Sequence, residues 1–176
     1  RGGELIGLGS EAVVPFQWVT GVGSDWFEGF IAIEGGNPAI NPFVREGSKL
    51  GELQVAASCD FITRKERRCS VFLNEFTSPF DVPYICLSPI LKQDNMLVGL
   101  AVQRTASQGE ITDQQRAVFT SLAPHVRSAV KTQLALEHKG ALLVSGALEA
   151  LNMSVFVCDA GGRVRAMTPS AEDLIS

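Results

Sequence analysis

Two neighbouring runs, "YICLSPIL" at 84–91 and "MLVGLAVQR" at 96–104, constrain the fold more than any other feature of the chain. Both are of β type, and the polar turn "KQDN" separates them, which is the pattern of a hairpin with a four-residue loop. A strand with one wet face alternates polar and apolar side chains, whereas these runs are apolar at nearly every position. The centre of the sheet must therefore be covered on both faces. Helices have to supply that cover, so the chain reads as α+β, an antiparallel sheet with flanking helices.

The remaining elements follow from local chemistry. Residues 12–19, "AVVPFQWV", suit a strand that Pro15 pushes to a sheet edge. Ser24 is placed to cap a short apolar helix, "DWFEGFIAIE", that stops at Gly35-Gly36. The two Asn-Pro steps of "NPAINPFVREG" favour turns or helix starts, and an irregular stretch follows to about residue 58. Thr63-Arg-Lys-Glu66 is a capping box, predicting a helix to about Phe76 that "TSPFDVP" stops. A second box, Thr112-Asp-Gln-Gln115, opens a long helix to about residue 152. It runs through "FTSLAPHVRSAV", where Pro124 removes a backbone hydrogen bond at a cost of about 3 kcal/mol and is expected to bend or restart the helix. Phe119, Leu122, Val126, Ala129, Gln133 and Leu136 recur in steps of three and four, a pattern that serves a dimer seam or a helix packed on its own sheet. Beyond it, Ser154–Cys158 and Arg163–Met167 read as short strands about the turn "DAGG", and Thr168-Pro169 starts a last helix. Three segments result: a sensor-sized domain over 1–110, a connecting helix over 111–152, and the opening of another module over 153–176.

At 176 residues, 45% hydrophobic and 19% charged, the chain can build a core and is not of disordered composition. A net charge of −4 carries no basic footprint for gripping nucleic acid. No apolar run approaches the roughly 18 residues of a membrane span, so no membrane partner and a cytoplasmic location are expected. The chain opens on "RGGELIGLGS" without an initiator methionine and closes on the helix-like "AEDLIS", as a piece of a longer protein would.

No catalytic motif is found: no G-x-S-x-G, P-loop, H-E-x-x-H or dinucleotide fingerprint, and the short turns "GLGS" and "GVGS" are weak as phosphate cradles. No enzyme activity and no cofactor are expected. His125 and His138 stand thirteen positions apart in one helix and cannot share a metal, and none of the four cysteines has zinc-site spacing. Cys59, Cys69, Cys86 and Cys158 read as reduced thiols. Cys59, Cys69 or Cys86 would be the nucleophile under a competing reading as a redox enzyme, which needs an exposed thiol of low pKa. Trp18, Trp26, Phe30 and Tyr84 are candidates to line an apolar small-molecule pocket; core packing accounts for such aromatics equally well.

The series "SDWFEGF…NPAINPF", "RKERRCSVFLNEFTSPFDVPY", the hairpin, "GEITDQQRAVFTSLAPHVRSAV" and "MSVFVCDAGGRVRAMTPSAEDLI" resembles the GAF/PAS-like sensor region of bacterial LuxR-type helix-turn-helix transcription regulators, over roughly four-fifths of the chain. The last of these pieces looks like the start of a PAS domain. The resemblance implies a GAF/PAS-like antiparallel sheet, a small-molecule inducer, a homodimer, and contact with DNA only through a C-terminal domain absent here. Phe119, Leu122, Pro124 and His125 would then relay the signal at the helix leaving the sensor. The first 24 residues depart from that pattern, which leaves the first strands of the sheet open. A module that only mediates protein interaction, with a filled core, remains an alternative.

Overall fold

The computed structural model describes residues 2–9, 14–93, 96–151, 153–158, 162 and 164–175, without the side chains at 137 and 138. The chain divides into two compact units, Arg1–Arg127 and Ser128–Ser176.

The first unit is built on a five-stranded sheet, antiparallel at every pairing, in the order β2-β1-β5-β4-β3. The apolar runs form β4 (Tyr84–Gln93) and β5 (Met96–Arg104), paired from Tyr84↔Arg104 to Gln93↔Met96 with a bulge between Pro89 and Leu91. Pairing reaches further into the turn than expected, leaving a two-residue connection, 94–95, that lies outside the described residues. Beside β5 lies β1 (Gly2–Gly9), then β2 (Phe16–Val19) at the edge; β3 (Ala56–Ala57) closes the other edge. The glycine-rich start, which departs from the expected pattern, is thus an interior strand. Glycine costs strand stability, but at Gly7 it has a use: a Cβ there would meet the Phe16 ring at 2.5 Å.

The helices start where capping chemistry allows. α1 (Trp26–Ala32) begins after Asp25 rather than Ser24. α2 (Pro42–Lys49) starts at the second Asn-Pro step, one of the two expected to favour turns or helix starts: Asn41 Oδ1 accepts from the backbone of Phe43 at 2.9 Å and Val44 at 3.4 Å, with Pro42 at the first helical position. α3 (Ser58–Phe61) is a single turn. α4 (Arg64–Cys69) is capped by Thr63, but the Glu66 side chain turns to Arg45 instead of reaching back. The helix expected to run to Phe76 breaks at Ser70 and resumes as a π-helical turn, Phe72–Thr77. The wider turn brings Phe72, Leu73, Phe76 and Thr77 all into the interior. There Phe72 and Phe76 join Trp26 and Phe30 in an aromatic cluster with ring centroids 4.6–6.2 Å apart.

The second capping box forms in full: Thr112 Oγ1 accepts from Gln115 N at 3.3 Å and Gln115 Oε1 from Thr112 N at 3.0 Å. It opens α5 (Asp113–Glu149), which continues through Pro124 without the expected restart. Anchors on both sides offset the proline's cost. Arg116 pairs with Asp60 through bonds of 2.6 and 2.8 Å, Arg127 pairs with Glu52, and Phe119 and Ala123 are buried between them.

In the second unit, β6 (Phe156–Cys158) and β7 (Val164–Met167) pair antiparallel and α6 (Pro169–Glu172) follows; the turn at 159–161 is outside the described residues. Thr168 sits at the cap position, yet its hydroxyl accepts from Val155 N at 3.0 Å and does not cap the helix.

Candidate ligand-binding cavity

One face of the sheet and the layer of α1, α2 and the π-helical turn enclose a cavity offering about 70 Å³ to the centres of water molecules. Strand alternation selects its floor: Glu4, Ile6 and Leu8 from β1, Leu97, Gly99 and Ala101 with Gln103 from β5, Ile85 and Leu87 from β4. Trp26 and Phe30, one turn apart on α1, join Asn41, Phe43, Val44 and Gly47 in and beside α2, and Phe72 and Thr77, to form the roof. Eleven of these are aliphatic or aromatic.

The exception is Glu4. It is 7% exposed, and no other charged side chain lines the cavity among the described residues. Gln103 Nε2 donates to its Oε2 at 2.8 Å and Gln17 Nε2 donates to its Oε1. Burial pushes the carboxyl up to about 7; the two carboxamides, and more weakly the Trp26 indole, favour the charged form without cancelling that cost. The other polar groups of the wall already serve the backbone. Asn41 caps α2 and donates to Gly35 O at 2.7 Å, Thr77 Oγ1 donates to Leu73 O at 2.8 Å, and Ser88 Oγ donates to Pro89 O at 3.3 Å.

The four aromatics singled out from sequence part company. Trp26 and Phe30 line the cavity, both 3% exposed. Trp18 does not: Gln17 points to Glu4, so its neighbour on β2 points the other way, 60% exposed and stacked on Phe16. Tyr84 is also outside the lining; Ile85 and Leu87 face the cavity, and Tyr84 carries the Arg67 guanidinium 5.4 Å from its ring centre. Glu4 and Gln103 were not singled out. The alternation of Glu4, Ile6 and Leu8 was the available signal, but Leu5 and Gly7 between them and the glycines on either side hid it.

At the start of α5, Phe119 is buried in its own unit and so is not available to a dimer seam, whereas Leu122, Pro124 and His125 are exposed. The cysteines offer no activated thiol in α3 or β4: burial and the Asp60 carboxylate push Cys59 up, and burial pushes Cys86 up to about 11. Cys59, Cys69 and Cys158 are exposed on the whole, and Cys86 is buried. Among the described residues, no group of three or more His, Cys, Asp or Glu is placed to hold a metal, and no helix is long and apolar enough to cross a membrane.

No protein-family model and no curated protein matches the chain. Among solved structures it is similar to the crystal structure of the VqsR LBD domain from Pseudomonas aeruginosa, with a TM-score of 0.57 and 11% sequence identity over 77% of each chain. At that identity the likeness is one of fold: a mixed α+β domain with a five-stranded antiparallel sheet and flanking helices.

Proposed function

We propose that this chain is the sensory and dimerising region of a LuxR-type transcription regulator. On this reading a GAF/PAS-like domain takes a small-molecule inducer in its cavity, and α5 carries the response toward a C-terminal helix-turn-helix domain that reads DNA in the cytoplasm. The observation that carries the reading is the cavity itself, an apolar chamber with one convergent polar end, the ordinary form of a small-molecule site. The fold shared with the VqsR LBD domain supports it. The raised thiols of Cys59 and Cys86 weigh against cysteine redox catalysis.

A route from cavity to helix is available. Val44 and Gly47 of α2 line the cavity, α2 ends at Leu50, and Glu52 just beyond accepts from Arg127 of α5 and from Lys92 N at 2.7 Å. Ligand seating that shifts α2 would thereby bias α5, with buried Phe119 reporting packing and the exposed Leu122, Pro124 and His125 on the stretch that follows it. The exposed Leu122, Leu136, Leu142 and Leu143 of α5 supply apolar surface for a second subunit.

Native mass spectrometry of the purified chain tests the reading. A dimer carrying a discrete adduct is expected, with Ala101→Leu, which fills the cavity, losing the adduct at an unchanged melting temperature. A bare species that also fails to take up any small molecule from a metabolite mixture would sink it in favour of the interaction module.

A further inference from the structure

The cavity has an electrostatic asymmetry that no described side chain of its wall resolves. Glu4 is its only charged side chain among the described residues, and no Lys, Arg or His lines the wall. Both of its oxygens accept from carboxamide donors, Gln103 and Gln17, an arrangement that favours the ionised carboxylate as acceptor. A carboxylate so held in an apolar chamber lacks only a counter-charge. Paired buried charges are tolerated where lone ones are not. The same wall carries Trp26, Phe30 and Phe72, and aromatic rings attract cations over their faces. Asn41, Thr77 and Ser88 each give a donor to a backbone carbonyl. An anionic ligand would meet Glu4 with no cation to hold it.

Resting on the sensor reading above, we infer that the cavity's ligand is a small organic cation, an amine with an aromatic or branched aliphatic body, whose ammonium pairs with Glu4 and whose body lies among Trp26, Phe30 and Phe72. The groups facing Glu4 from β2, β5 and α1 are Gln17, Gln103 and Trp26, none of which titrates near neutrality. Because burial holds the empty-state carboxyl near 7, binding of a cation expels its residual proton, so amine affinity should climb as pH rises from 5.5 to 7.5.

Calorimetric titration of the chain with 2-phenylethylamine, its isostere 2-phenylethanol and the anion 3-phenylpropanoate separates the cases. The amine should bind at least tenfold more tightly than the alcohol at pH 7.5, lose that margin at pH 5.5, and bind Glu4→Gln no better than the alcohol does; the acid should not bind. Equal affinity for alcohol and amine, or a flat pH profile, overturns the cation assignment and leaves the sensor cavity standing. Unchanged amine affinity in a folded Glu4→Gln overturns it too. Failure of all three probes to bind the wild-type chain overturns the cation assignment and the cavity reading together. The wild-type pH profile needs no variant, so the test survives a Glu4→Gln chain that does not fold.

Discussion

The two units spend their apolar residues in opposite ways. Residues 1–127 turn Trp26, Phe30, Phe43, Phe72, Phe76 and the strand aliphatics inward, almost wholly out of water. Among the described residues of 128–176, the buried side chains are small, Ser145, Ala166, Thr168 and Ala171, while Leu136, Leu142, Leu143, Leu151, Leu174 and Ile175 are more than half exposed. The first unit holds a core of large side chains; the second presents apolar surface of the kind that partners cover. The stability of the chain should reside in the first and its sensitivity to association in the second.

The sharpest way to break that contrast is Phe72→Ala. It empties the centre of the aromatic cluster, where Phe30, Phe43 and Phe76 all pack, and should cost about 3–5 kcal/mol in denaturant unfolding. A loss below about 1 kcal/mol would mean that the core is not the structural centre of the unit.

Glu4→Gln comes next, and its sign depends on pH. The folded carboxyl titrates near 7 against an ordinary 4.5, so between these values the folded chain holds more protons than the unfolded one and stability falls as pH rises. Across that window the loss should approach roughly 3 kcal/mol, and the substitution should remove it, raising the melting temperature at pH 8 while leaving pH 4 little changed. A wild-type stability that does not fall from pH 5 to pH 8 relative to the variant would contradict the buried carboxyl.

Smaller still is Arg116→Ala. Its bidentate pair with Asp60 ties α5 to α3, but both side chains are about one-third exposed, so screening limits the loss to about 0.5–1 kcal/mol. Asp60, which the Arg116 guanidinium holds below the usual carboxylate range, should contribute fully near neutrality and lose its effect in strong acid. Smallest should be Leu143→Ala, 74% exposed in the wild type. It should change monomer unfolding by less than about 0.5 kcal/mol. Sedimentation, in contrast, should register weaker self-association; an unaffected dimer would place the subunit contact elsewhere on the chain.

What could be read from sequence divides along similar physical lines. The β4–β5 hairpin was legible because both its faces are apolar, and Trp26 with Phe30 because they stand one helical turn apart. The second capping box was legible as well, since its chemistry is local. Tyr84 and Trp18 were misplaced by parity: on a strand a shift of one residue moves a side chain to the opposite face, and the register that decides this comes from pairing. β1 was hidden because glycines at 2, 3, 7 and 9 weaken every propensity argument, and its place comes from β5 and β2 alongside. The break at Ser70 was invisible because a π turn and an α turn have much the same composition. Glu4 was passed over because a carboxylate is expected in water, and only the distant carboxamides of Gln17 and Gln103 make its burial tolerable.

The position of β1 bears on how the chain matures during synthesis. Glu4 and its partner Gln103 stand 99 residues apart, and every rung between β1 and β5 joins the beginning of the unit to its end. The β4–β5 hairpin can close by itself, but β1 must wait, unpaired on that edge, until β5 has left the ribosome. The floor of the chamber is therefore incomplete until then. A molecule that fills the chamber would act on the nascent protein as well as on the finished one, by holding together two strands that lie far apart in the sequence.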